Sequence, residues 1–134
     1  MTDAFLDSNI LVYVFENDDR RSPIARDLLA ARPLIGVQCL NEFANVARRK
    51  LGFSWPEVSE ALAAIEILVA GIQPLSVDTH RVGLALSERY GLTIHDGQLV
   101  AVALAAGCRT SLSEDMHHGL VIDERLTITN PFRA

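Results

Sequence analysis

Short apolar runs of strand length alternate along this chain with longer segments of helical spacing, and that order constrains the fold more than any other feature. The runs are 4-AFL-6, 34-LIGV-37, 72-IQPLSV-77, 109-RTSL-112 and 126-LTIT-129. Two strands separated by a helix pair in parallel, because the helix returns the chain to the edge where the first strand began. The expectation is an α/β domain with a central, mainly parallel sheet flanked by helices. No repeat, linker-like tract or shift in composition divides the 134 residues, so a single domain over 1–134 is expected. An apolar share of 49%, with five Pro and eight Gly, is enough for a packed core and speaks against disorder.

The helical segments carry their own start and stop signals. Ser54 precedes Glu57 by three residues, a capping-box spacing, and Pro56 falls in the first turn, where its missing N–H does little harm. Trp55, Val58, Leu62, Ile65 and Val69 then share one stripe, widened by Ala61, Ile67 and Leu68. That width exceeds what one core face needs, which suggests a partner surface. Asp78 is expected to cap a helix running to Tyr90, which Gly91 ends. Thr93 and Asp96 repeat the capping spacing before 99-LVAVALAA-106, whose all-round apolarity predicts a buried helix. The segment 10-ILVYVF-15 is β-branched and aromatic, so local propensity favours a strand. It follows the first strand too closely for a parallel crossover, and a hairpin or a short buried helix would both fit.

Composition narrows the chemistry. The apolar stretch 99–106 is far shorter than the roughly 20 residues of a membrane span. The N-terminus lacks the basic and apolar regions of a secretion signal, so a soluble, cytoplasmic protein is expected. Cys39 and Cys108 both sit among apolar neighbours and read as buried free thiols, and no Cys/His spacing suggests zinc. A net charge of −5 argues against gripping nucleic acid by charge alone. Cations held at an acidic site would relax that objection.

Four acids stand where an ordinary surface charge is not expected. Asp7 ends the first strand, and ligands of open α/β sheets gather at the carboxyl ends of strands. Capping the next segment would explain Asp7 equally well. Glu42 lies at the margin of the stripe formed by Leu40, Phe43, Ala44, Ala47 and Leu51, which predicts partial shielding from water. A surface role beside Asn45 or Arg49 is the plainer alternative. Asp96 is placed to complement a helix dipole, and Asp115 follows the strand 109–112 in a loop. Each acid alone has an ordinary explanation. Gathered at one rim of the sheet, four carboxylates would need cations, because their mutual repulsion raises their pKa values. Oxygen-only ligands suit Mg²⁺ or Mn²⁺, and one or two such ions would support in-line hydrolysis of a phosphodiester.

At these residues the sequence resembles the PIN-domain family, in particular the VapC-type toxins of bacterial toxin–antitoxin pairs. The resemblance runs from 5-FLDSNILVYVF-15, through 41-NEF-43 and 94-IHDGQLVAVALAAGC-108, to 113-SEDMHHG-119 and 130-NPF-132. It implies a three-layer PIN-like fold and makes the segment 10–15 a helix. It makes Asp7, Glu42, Asp96 and Asp115 the catalytic, metal-binding set, supported by Asn9 and Ser113, with Glu114 as a candidate further ligand. It also implies Mg²⁺- or Mn²⁺-dependent endoribonuclease activity on RNA, a homodimer, and a VapB-type antitoxin. Arg48, Arg49 and Lys50 are candidate RNA contacts, although a basic helix end also complements the dipole.

The sequence departs from the family pattern at His95-Asp96-Gly97. Gly97 is expected to loosen the first helical turn by about 1 kcal/mol relative to Ala. His95, His117 and His118 read as helix-start and loop residues. Two other α/β classes with strand-end acids fit poorly. Receiver domains need a Lys at a late strand end, whereas the sole lysine, Lys50, closes a helix. Haloacid-dehalogenase-like phosphatases need Asp-x-Asp where this chain has Asp7-Ser8-Asn9. The closer rival is a PIN-fold module that binds RNA or an antitoxin without cutting.

Overall fold

Each apolar run becomes a strand, the first and last at full length and the other three shortened. In the computed structural model, which describes residues 3–133, the first half contains β1 (Ala4–Leu6), α1 (Ser8–Phe15), α2 (Arg21–Ala30), β2 (Leu34–Gly36), α3 (Val37–Arg49) and α4 (Trp55–Leu68). The second half contains β3 (Gly71–Gln73), α5 (Val77–Tyr90), α6 (Ile94–Ala105), β4 (Thr110–Leu112), β5 (Val121–Ile122) and β6 (Leu126–Thr129). The strands form one sheet in the order β3-β2-β1-β4-β6-β5, parallel except where β5 meets β6. For this strand order, the right-handed crossover rule assigns α1 to α4 to one face and α5 with α6 to the other. The helix packing divides the same way, α1 against α2 and α3, α3 against α4, and α5 against α6.

Local chemistry explains where elements stop. The run 72–77 leaves the sheet after Gln73 because Pro74 has no N–H to give the ladder. Ser76, not Asp78, then caps α5, its Oγ accepting from the Thr79 amide at 3.0 Å. Asp78 is a first-turn acid paired with Arg81 at 3.3 Å. Gly36 closes β2 and is the N-cap of α3, so Val37 is already helical. The β5–β6 hairpin turns on Asp123 and Glu124, with φ of 49° and 58°, and the Arg125 amide donates to the Ile122 carbonyl at 3.0 Å. This has the form of a type I′ turn without its usual glycine, which leaves little trace in the sequence.

Burial decides the ambiguous segments. Ile10 and Leu11 are fully buried on α1, so packing overrules the strand propensity of 10–15. The α6 helix is buried continuously from Gly97 to Leu104. The α4 helix starts with the expected Ser54–Glu57 capping box and turns Val58, Ala61 and Ile65 inward. Leu62 packs partly against the core, whereas Trp55 is 64% exposed and Ile67 75%. Cys39 and Cys108 are both buried and free, and burial pushes the Cys39 thiol up to about 12. Among the described residues, no helix is long and apolar enough to cross a membrane.

Gly97 has the opposite effect from the one expected. A Cβ at this position would lie 1.9 Å from Ser87 Oγ and 2.6 Å from the Gly83 carbonyl oxygen. The missing side chain therefore lets α6 approach α5 closely. The lost propensity is local and small, and the close packing fixes the helix turn that carries Asp96.

Candidate metal centre

The order β3-β2-β1-β4-β6-β5 makes the chain leave β1 toward one edge and later return to β4 on its other side. A crevice opens beyond the carboxyl ends of β1 and β4 at such a reversal. Asp7 follows β1 and Ser113 follows β4. The Asp7 amide still donates to the Leu112 carbonyl at 3.0 Å, and the Ser113 amide to Thr129 at 3.0 Å. Both residues thus inherit the rigidity of the sheet.

Asp7 is only 6% exposed and unites the two sequence readings of its role. Its Oδ1 accepts from the Ser8 amide at 2.6 Å, which caps α1. Its Oδ2 accepts from Ser113 Oγ at 2.7 Å and from Asn9 Nδ2 at 3.4 Å. Asn9 Nδ2 also reaches Asp115 Oδ2 at 3.2 Å and Ser113 Oγ at 3.4 Å, while Asn9 Oδ1 accepts from the Glu114 amide at 3.3 Å. The Asp115 amide donates to Ser113 Oγ at 3.3 Å. Asn9 and Ser113 therefore tie two of the acids together, as support residues would.

The remaining acids enter from two helices. Glu42 stands exposed on α3 rather than partly shielded, because its row of the helix faces the crevice, and Ser8 Oγ donates to its Oε2 at 2.7 Å. Asp96 is half-buried in the first turn of α6, below the Thr93 cap. Burial chiefly raises the Asp7 pKa from 3.8 to about 6, with the Ser113 and Ser8 hydrogen bonds opposing and the charges of Glu42 and Asp96 adding to the rise. Asp96 is also pushed up, first by burial, then by Asp115 and Glu42, against the Thr93 hydrogen bond and His95. The four acids thus share one electrostatic neighbourhood.

Among the described residues, no three His, Cys, Asp or Glu side chains are arranged so that they could hold a metal ion as they stand. Mg²⁺ does not require such a cage, since it keeps several waters and commonly takes one or two carboxylates plus substrate oxygens. The donor set here is oxygen-only, with one carboxylate buried against repulsive neighbours, and that chemistry fits a hard divalent cation.

An open cleft of about 490 Å³ adjoins the acids and is lined by Ser8, Asn9, Glu42, Arg49, Lys50 and Asp115 among others. A second cleft of about 350 Å³ shares Ser8, Glu42 and Arg49 with it and extends to Asn45 and His95. Arg49 and Lys50 therefore border the site. Arg48 does not, because it donates to the Phe53 carbonyl at 2.9 Å and lies 4.6 Å over the Trp55 ring. Glu114 points to Tyr13 and Arg21, two residues that sequence reading passed over. Tyr13 had a usable signal, one helical turn beyond Asn9 on the same face. Arg21 had none, since it arrives from α2. His117 is exposed, and His118 Nδ1 accepts from the Asn130 amide at 2.9 Å, pinning the tail.

Comparison of the sequence with curated proteins gives no match. Solved structures share the fold at low identity. A toxin–antitoxin complex from Klebsiella pneumoniae aligns with a TM-score of 0.73 and 20% identity over 98% of this chain and 99% of that one. VapC20 of Mycobacterium tuberculosis, a sarcin–ricin-loop-cleaving toxin, aligns with a TM-score of 0.66 and 19% identity over 81% of this chain and 86% of its own. VapBC2 of Rickettsia felis, solved with a promoter DNA fragment, gives 0.65 and 19% over 95% and 97%. The PIN domain family matches residues 4–117, from β1 to just beyond Asp115, and with that span added to the sheet order and the acids at its reversal, the chain belongs to the PIN domain family.

Proposed function

We propose that this protein is a metal-dependent endoribonuclease that hydrolyses RNA phosphodiester bonds as the toxin of a VapBC-type pair. The observation that carries the reading is the buried Asp7 carboxylate, raised to about 6 and surrounded by Glu42, Asp96 and Asp115 at the sheet reversal. A group this costly to ionise contributes little to folding, and perturbed acids of this kind concentrate at functional sites. Asp7, Glu42, Asp96 and Asp115 would hold one or two Mg²⁺ or Mn²⁺ ions. When bound, the cation neutralises charge on the phosphodiester and makes the attacking water more acidic.

The chain's own groups supply the rest. Ser113, Ser8 and Asn9 orient the two Asp7 oxygens, and Asn9 couples them to Asp115. Arg49 and Lys50 offer positive charge along the cleft to a substrate that a net charge of −5 would otherwise repel. The structural neighbours solved as toxin–antitoxin complexes support a VapB-type antitoxin as partner. Unpartnered apolar side chains such as Ile67 and Val77 support both that partner and a homodimer. A cytoplasmic location completes this reading.

The test is cleavage of single-stranded RNA by purified protein with Mg²⁺ or Mn²⁺, alongside a search of the adjacent genes for a short DNA-binding protein that copurifies with it. Asp7→Asn and Asp96→Asn should abolish cleavage while the fold persists. Cleavage that survives excess chelator, or that is equal in wild type and both variants, sinks the metal mechanism. A non-cleaving RNA- or antitoxin-binding module is the second reading, favoured by the absence of a preassembled three-residue ligand set among the described residues. RNA binding without cleavage under every metal would select it.

A further inference from the structure

Glu114 stands between Ser113 and Asp115, where the sequence offers it as one more metal ligand. Its two oxygens are already engaged. Tyr13 Oη donates to Oε1 at 2.6 Å, and Arg21 Nε donates to Oε2. Burial alone would raise the Glu114 pKa, but the hydrogen bonds from Tyr13 and Arg21 outweigh it and hold the carboxyl below its usual range. Arg21 is itself fixed from three sides. Its guanidinium lies 5.6 Å from the Tyr13 ring centre and 5.8 Å from that of Phe132, with Asp18 Oδ2 at 3.7 Å. The Arg21 and Glu114 side chains are 31% and 20% exposed, so water screens the pair only in part.

We propose that Arg21 is a positioning residue of the candidate metal centre: by clamping Glu114 with Tyr13 it keeps that carboxylate out of the ligand set and sets the turn that presents Asp115. The backbone supplies the connection. The Glu114 amide donates to Asn9 Oδ1, and Asn9 Nδ2 in turn binds Asp115 Oδ2 and Asp7 Oδ2. Anchoring the Glu114 side chain on α1 and α2 therefore fixes the peptide that aligns Asn9, and Asn9 spaces the two acids. Groups that orient ligands without touching the metal commonly change its affinity by roughly 10- to 100-fold when removed. Arg21 fits this role because a planar donor wedged between rings loses little freedom on binding a carboxylate.

This inference rests on the metal reading above, and calorimetric titration with Mn²⁺ separates the two. Wild type should bind Mn²⁺ and Asp7→Asn should not; absence of binding by wild type overturns both. Given wild-type binding, Arg21→Ala should weaken Mn²⁺ binding by about tenfold or more with the folded structure retained by circular dichroism. Arg21→Lys, which keeps the charge but not the planar fork between the rings, should recover only part of the loss. Arg21→Ala/Glu114→Gln should lose no more than the worse single variant, because both remove one clamp. Unchanged affinity in Arg21→Ala, or additive losses in the double variant, overturns the proposal. Tighter binding in Arg21→Ala also overturns it, since a freed Glu114 would then be acting as a ligand. Should Arg21→Ala fail to fold, Glu114→Gln decides alone, and wild-type affinity in that variant overturns the clamp.

Discussion

Replacing Asp7 by Asn should stabilise the protein at neutral pH, and the size of the gain follows from the site. Burial raises the Asp7 pKa from 3.8 to about 6, so the folded state favours the protonated carboxyl. Below about pH 4 the group is protonated in both folded and unfolded chains and imposes no charge penalty. As pH rises through about 6 the favourable contribution is lost, because folding must then bury an ionised group. At 1.36 kcal/mol per tenfold change in acidity, a rise from 3.8 to about 6 corresponds to about 3 kcal/mol above pH 6.

Asn keeps an oxygen for the Ser8 amide, so the cap on α1 survives, but its NH₂ faces Ser113 Oγ and Asn9 Nδ2, which both donate to Asp7 Oδ2, and those two bonds are weakened or lost. These losses offset part of that figure, leaving an expected gain of about 1–2 kcal/mol, or roughly 4–8 °C in Tm. The assay is thermal unfolding of wild type and Asp7→Asn in chelator between about pH 4 and pH 8. The difference should be near zero at the acid end and reach its plateau above pH 6. Added Mn²⁺ should then raise the Tm of wild type alone, by mass action on the folded state. A variant no more stable than wild type at pH 8, or an offset independent of pH, refutes the account of Asp7 as a buried, unneutralised charge.

Two further substitutions probe features on either side of the site. Gly97→Ala should destabilise by at least about 1–3 kcal/mol, because its Cβ meets the Gly83 carbonyl at 2.6 Å as well as the more movable Ser87 Oγ at 1.9 Å. Denaturant titration checks this, and the propensity argument alone would instead forecast a stabler helix. Arg49→Ala should reduce kcat/KM for RNA and flatten its salt dependence, since Arg49 lines both clefts. Arg48→Ala should leave RNA kinetics unchanged and cost stability through the lost Phe53 hydrogen bond and Trp55 stacking. Equal kinetic losses in the two variants would show that the helix end acts as one diffuse basic patch.

What the sequence determined by itself lies in its periodicities and its short-range punctuation. The alternation of apolar runs and helical segments required a mainly parallel sheet, and Ser54, Thr93 and Gly91 mark helix ends because capping is an interaction over three or four residues. Asp7, Glu42, Asp96 and Asp115 could be singled out for the same reason, each standing at a recognisable strand end, helix start or helix row. Tertiary structure decided whatever depended on packing across the chain. Burial made 10–15 a helix against its propensity, and the approach of α5 converted Gly97 from a weak point into a requirement. Likewise, Arg48 and Arg49 are neighbours in sequence, but about 100° of helical rotation sends one to Trp55 and the other to the acids. Arg21 is the sharpest case, since its contact with Glu114 spans 93 residues and exists only once α2 and the turn after β4 have docked.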